Sequence, residues 1–294
     1  MAQLVVVGLI VGSVIALGAI GLTLIYGVLK FANFAHGDLM TAGAYIALFI
    51  FFGNDRLGPL SFGYGMIPAI LAAMIGVGVL SVAIDRIVYR PLRNRKAGLV
   101  ILAMSSLGMA MVVRSMVYLL WGPDQQFYVL GIQKAMSLPL GIRLKPDQAF
   151  IGCAALGVMA LVYLLLYRTK LGKAMRATAD NMELARVSGI DTEKVVIWTW
   201  AIGGALAGLA GVLLGIQSHL MPEMGFIFLL PLFSAAILGG VGSPQGALVG
   251  ALIVGVSQEL STEWLSPAYK PAVAFMLLFA ILLFKPTGLF GAKA

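Results

Sequence analysis

The sequence predicts an all-α polytopic membrane protein, and three observations carry that prediction. Of the 294 residues, 61% are hydrophobic and only 11% are Asp, Glu, Lys or Arg, against about half and about a quarter in a soluble domain. The apolar residues form long blocks at 4–29, 65–88, 98–120, 148–167, 194–217 and 269–284, where roughly 20 residues suffice to cross the hydrocarbon. The basic residues are bunched between those blocks rather than spread along the chain.

Taken in order, the chain opens with "MAQLVVVGLIVG", which lacks the basic start of a cleaved leader, so 4–29 is read as the first span. Three shorter apolar pieces, 38–52, 226–241 and 245–258, bring the expectation to eight or nine segments in one membrane domain. Net charge is 20 − 12 = +8. Five basic residues and no acid occupy 86–96, and six more lie in 168–194 beside four acids. Short loops rich in Lys and Arg stay in the cytoplasm. Alternating the spans from there places the N-terminus outside and the C-terminus, with Lys285 and Lys293, inside. The 121–147 segment then faces out despite Lys134, Arg143 and Lys145.

Small residues recur at four-residue spacing, at Ala207, Gly211 and Gly215, at Gly204 and Gly208, and at Gly246 and Gly250. Such faces let membrane helices approach closely, so helix packing is the expected role. Two interruptions differ from that pattern: "NFAHGDLM", with Asn33, His36, Gly37 and Asp38, and "GGVGSPQG", with Gly239, Gly240 and Gly242. Irregular backbone at membrane depth is tolerated only where protein buries it or water reaches it. Paired interruptions of this kind flank the pathway in many transporters. These seven residues are therefore candidates for the pathway or for a broken helix beside it.

Catalysis and metal binding find little support. No phosphate-binding loop is present, His36 and His219 are the only histidines, and the single Cys153 sits in an apolar run as a packing residue. A Ser243–His219 hydrolase is the remaining enzymatic alternative. Asp38 precedes an apolar run and is placed to favour a helix N-terminus, with His36 bonding nearby. Arg114, inside 98–120, either snorkels to the outer surface or meets a substrate carboxylate. Asp85 and Glu259 fall at predicted helix ends. So little buried charge leaves few means of coupling transport to an ion gradient, which points to an external energy source.

The stretch "RTKLGKAMRATADNMELARVSGIDTEK" (168–194) reads as an amphipathic helix with Met175, Ala179, Met182 and Ala185 on one face. It either lies on the membrane or docks a cytoplasmic motor, and charges of both signs favour a protein partner over anionic lipid. Within it "ELARVSG", Glu183 to Gly189, resembles the E-A-A-x-x-x-G motif of ABC importer permeases, with Leu184 where alanine is usual. Together with "FANFAHGDLMTAGAY", "AAILGGVGSPQGALVGALIVG" and "LLFKPTGLFG", in that order, the whole chain resembles LivH-type permeases of branched-chain amino acid ABC importers.

The resemblance implies a bacterial inner-membrane subunit forming half of a pathway for leucine, isoleucine or valine. A second, M-type permease would supply the other half. Two cytoplasmic ATPases would bind ATP and magnesium, a periplasmic binding protein would deliver substrate, and this chain would hold no cofactor and contact no nucleic acid. Glu183, Ala185 and Gly189, with Arg176 and Asp191 on the same loop, would form the ATPase-coupling surface. The same superfamily also implies urea, short amides or other amino acids as alternative cargoes. An autonomous channel or secondary transporter stays open as a rival.

Overall fold

A computed structural model describes residues 1–51, 65–128, 135–137 and 143–291; Lys134 and Lys293, placed outside and inside above, lie outside the described residues. The described chain is almost wholly helical, with one two-residue hairpin pairing Met136–Ser137 with Arg143–Leu144. The principal helices are α1 (Ala2–Leu29), α2 (His36–Ile50), α3 (Met66–Ile84), α4 (Arg90–Asn94), α5 (Leu99–Trp121) and α6 (Pro146–Arg168). After them come α7 (Lys170–Asp180), α8 (Met182–Val187), α9 (Thr192–Gln217), α10 (Met224–Gly239), α11 (Pro244–Ser261) and α12 (Lys270–Phe284). Among the described residues six helical stretches are long and apolar enough to cross a bilayer, and each corresponds to one of the six long blocks. The three shorter pieces are helices too.

The layering follows from side-chain size. α1 and α9 form the centre, about 70% buried, and both are rich in Gly and Ala. The repeated small residues do pack helices together. Gly204 lies against Ser81 and Val77 of α3, Gly208 against Gly43 and Ala73, and Gly211 against the Met40 backbone. On α11, Gly255 meets Gly8 and Gly12 of α1, and Gly250 meets Ala235 of α10. Cys153 departs from its expected packing role: it is exposed on the outward face of α6.

The loops sort to two ends of the bundle. Arg90, in the basic 86–96 stretch, pairs with Glu193 at the start of α9 (3.1 Å), so both basic loops share one end. The C-terminal turn joins them there, where the Leu289 and Phe290 amides donate to the Leu238 and Gly239 carbonyls (2.9 Å each), beside a Gly242 turn that touches Gly27 near the end of α1. Gln3 and the Arg143 backbone exchange two hydrogen bonds at the opposite end (2.8 and 2.9 Å). The 86–96 stretch is more ordered than a loop, because α3 continues through a π turn (Asp85–Tyr89) into α4.

A candidate transport pathway and coupling surface

Two of the short helices begin inside the bundle. Lys30 adopts a left-handed conformation (φ 58°) and stops α1. Residues 31–35 then turn back along it until His36 Nε2 lies 2.9 Å from the Gly18 carbonyl. A carbonyl only accepts, so Nε2 carries the proton, and Nδ1 is left without a partner. Gly18 is 11 residues, about 16 Å at 1.5 Å per residue, above the end of α1. α2 therefore starts at depth.

The second such start is α10. Its Gly225 amide donates to Thr41 Oγ1 of α2 (3.0 Å), and the Gly37 and Gly225 backbones touch. A Cβ on either glycine would occupy the other's backbone, so only glycine permits this approach. Two helix N-termini thus meet in the interior, each carrying a partial positive charge. From that point α2 runs parallel to α5: the Phe34 amide donates to Ser106 Oγ (3.0 Å), Asp38 faces Arg114, and Tyr45 packs on Trp121 (5.3 Å).

Asp38 is where the structure departs most from expectation. It lies in the first turn of α2, as the helix-terminus reading requires, but its carboxylate is committed to Arg114. Arg114 Nε and Nη2 donate to its two oxygens at 2.8 and 3.0 Å. Arg114 does not snorkel: a buried carboxylate holds it, and the Phe226 ring packs against its guanidinium (4.3 Å). Asp85 and Glu259 also differ from the expectation of exposed helix ends. Both are buried, and they pair with Arg93 (2.5 Å) and Lys270 (2.6 Å). Each buried acid has acquired a base, as burial of charge demands.

Asn33 and His36 are fully enclosed. Asn33 Oδ1 accepts from the Ala35 amide (3.2 Å) and from Tyr89 Oη (3.4 Å). The π turn brings Tyr89 there, stacked on Trp200 (5.1 Å, 11°) with Phe31 beside both. The structure does not bring Gly239, Gly240 and Gly242 to this junction. They form the α10–α11 turn at the end of the bundle, where Gly240 and Gly242 take positive φ (107° and 89°). Ser243 caps α11 there, its Oγ accepting from the Gly246 amide (3.1 Å). His219 packs on Phe127 beyond the far end of α9, so Ser243 and His219 are held apart.

The 168–194 loop is helical and amphipathic, yet it is two helices rather than one. Thr169 caps α7 through the Gly172 amide (3.0 Å), and Asn181 ends α7 while capping α8 through the Leu184 amide (2.9 Å). Gly189 turns the chain at φ 87°, and Asp191 caps α9 through the Lys194 amide (3.1 Å). The hydrogen bonds from Lys194 hold the Asp191 carboxyl below its usual range. Met175 and Ala185 are buried against the bundle's own helices, with Ala179 and Met182 half-buried. Outward stand Glu183, without an ion pair among the described residues, Leu184 and Val187 (81% exposed). Arg176 lies over the Tyr167 ring (4.7 Å). It lines a cavity of about 440 Å³ with Thr23, Lys30, Asp180 and Gly242, so the loop and the α10–α11 turn share one wall.

Comparison with known proteins decides what such a bundle is. A family model described as the permease component of the branched-chain amino acid transport system matches residues 4–282. This chain belongs to that family. It is 35% identical to the high-affinity branched-chain amino acid permease BraD of Pseudomonas aeruginosa, over 98% of this chain and 95% of that one. It is 34% identical to the LivH permease of Escherichia coli (97% and 93%). A probable LivH permease of Methanocaldococcus jannaschii is 31% identical (96% and 90%). The chain thus spans at least 90% of each of these relatives, and the LivH-type resemblance read from its motifs holds along it.

Proposed function

We propose that this permease is the H-type half of an ABC importer for leucine, isoleucine or valine, paired with an M-type permease and driven by two cytoplasmic ATPases. The observation that carries this reading is α8. It is a short, doubly capped helix that offers Glu183, Leu184 and Val187 outward at the end of the bundle holding both basic loops. Those features suit a surface that another protein receives. ATP and magnesium belong to the ATPases in this reading, and the chain itself holds no cofactor. A periplasmic binding protein delivers the amino acid at the opposite end.

The contacts support nine crossings, with α2 and α10 each starting part-way through, the N-terminus outside and the C-terminus in the cytoplasm of a bacterial inner membrane. ATP binding would close the ATPases, pull α8 and α7 with them, and turn the cavity outward. Asn33, His36, Gly37 and Asp38 hold the α2 start at depth. Gly239, Gly240 and Gly242 hold the turn that shares a cavity wall with α7. The test is gentle detergent extraction of the tagged chain and identification of what accompanies it. A second permease and P-loop ATPases are expected; a lone chain that moves solute without ATP would replace this reading with a secondary transporter.

A further inference from the structure

The Arg114–Asp38 pair is lopsided. Both Asp38 oxygens are taken and its side chain is fully enclosed, whereas the Arg114 side chain is 20% exposed and its Nη1 has no partner among the described residues. The pair sits at depth, two residues beyond the His36 contact with Gly18 and about 10 Å, seven residues, from the end of α5. Hydrocarbon cannot accept a guanidinium N–H, and intramembrane charges face protein or a water-filled cavity. The open side of Arg114 therefore faces the interior of an assembly. Glu223, at the N-cap of α10 and partly exposed, stands three residues, one helical turn, before the Phe226 ring that packs on Arg114, and Phe226 and Ile227 are each about half exposed.

We propose that Arg114 receives the carboxylate of the translocating amino acid, that Asp38 is the fixed counter-ion keeping Arg114 charged and aimed, and that Glu223 receives the ammonium. A planar guanidinium with N–H groups to spare matches a carboxylate better than any other side chain does. Phe226 and Ile227 supply the apolar wall for an aliphatic side chain. The set fits a zwitterion with an apolar side chain and disfavours urea or a simple amide, which carries no charge for either end. Asp38 is a positioning residue in this scheme. The inference rests on the permease reading above and deepens it.

The experiment uses the assembled importer in proteoliposomes with its binding protein, reading leucine uptake and binding-protein-stimulated ATP hydrolysis together. In the neutral pair Asp38→Asn/Arg114→Gln, assembly and stimulated hydrolysis are expected to persist while uptake falls at least about tenfold, the cost of one charge-assisted hydrogen bond. The swapped pair Asp38→Arg/Arg114→Asp restores the internal ion pair, and uptake is expected to stay lost. A purely structural pair would predict recovery in the swap. Glu223→Gln, outside the ion pair, is expected to lower uptake without uncoupling hydrolysis from the binding protein. Near-normal uptake in the neutral or swapped pair would overturn the carboxylate site. Should neither pair assemble, near-normal uptake by Glu223→Gln would overturn the zwitterion assignment. Failure of the wild-type assembly to carry any amino acid would instead count against the permease reading itself.

Discussion

The α2–α10 junction and the α7–α8 loop are both built from short helices, and they treat charge in opposite ways. At the junction the buried carboxylate and the buried imidazole each hold a committed partner. Asp38 holds Arg114, the His36 ring holds the Gly18 carbonyl, and glycines bring the backbones into contact. On the loop Glu183 has no ion pair among the described residues and Leu184 is exposed, while the backbone is fixed by side-chain caps. A charge at depth must be neutralised where it lies, because nothing else can solvate it. A surface charge is left available, since water solvates it until a partner arrives. The first region determines a shape that persists, the second an address.

That contrast can be broken in graded steps. Gly225→Leu should have the largest effect: its side chain has no space beside Gly37, and overpacking of about 3 kcal/mol or more should leave no monodisperse protein after extraction. Asp38→Asn alone leaves the partly exposed Arg114 guanidinium without its carboxylate, an expected loss of about 1.5–3 kcal/mol. The thermal midpoint of the purified protein reads that loss, and the double variant Asp38→Asn/Arg114→Gln should recover most of it. Asn181→Ala removes the side-chain cap of α8 and leaves the backbone bond that ends α7, expected to cost about 1 kcal/mol. Hydrogen exchange should quicken in 181–187 and stay unchanged in 36–41. Arg90→Ala breaks a half-exposed ion pair with Glu193, worth at most about 1 kcal/mol and less in high salt; a larger shift would mean that the loops are joined more tightly than the contact suggests.

Asp191 gives the smallest signal and has a sign. Its carboxyl is held below the ordinary value of 3.8, so its contribution is present above that value and is lost as pH falls through the depressed one. The α9 cap should therefore survive mild acidification, and the protection factors at Thr192–Val195, exchange rates divided by the intrinsic rate at each pH, should not change between neutral pH and about pH 5, a range above the unperturbed carboxylate values.

All the helices that cross the bundle were legible as apolar blocks, because length and hydropathy are properties of contiguous residues. Small-residue packing on α9 and α11 was legible for the same reason. The ion pairs were less so. Arg93 and Lys270 lie 8 and 11 residues from their acids, near enough to be suspected, but Arg114 and Asp38 are 76 apart and only the re-entry of residues 31–35 joins them. The "NFAHGDLM" interruption marks that re-entry, but nothing local says that it carries Asp38 to α5. Asn33 and His36 draw notice as polar residues among apolar ones, while Gly225, which meets Gly37, resembles any other glycine. The partner of the "NFAHGDLM" interruption in space is thus the start of α10, marked in the sequence only by the isolated Pro222 and Gly225. The loop at 168–194 reads clearly as amphipathic, yet its apolar face covers its own bundle, a distinction that periodicity alone does not make.

The central claim is that energy enters this permease through α8. ATP-driven leucine uptake by the reconstituted importer, compared for wild type, Glu183→Ala and Gly189→Asp, tests it most directly. Gly189 adopts φ 87°, a conformation that residues with a side chain rarely adopt, so aspartate there adds strain as well as charge. Both variants should insert normally and lose uptake, either by shedding the ATPases or by hydrolysing ATP without transport. Wild-type uptake in both would contradict the claim and place the coupling elsewhere in the chain.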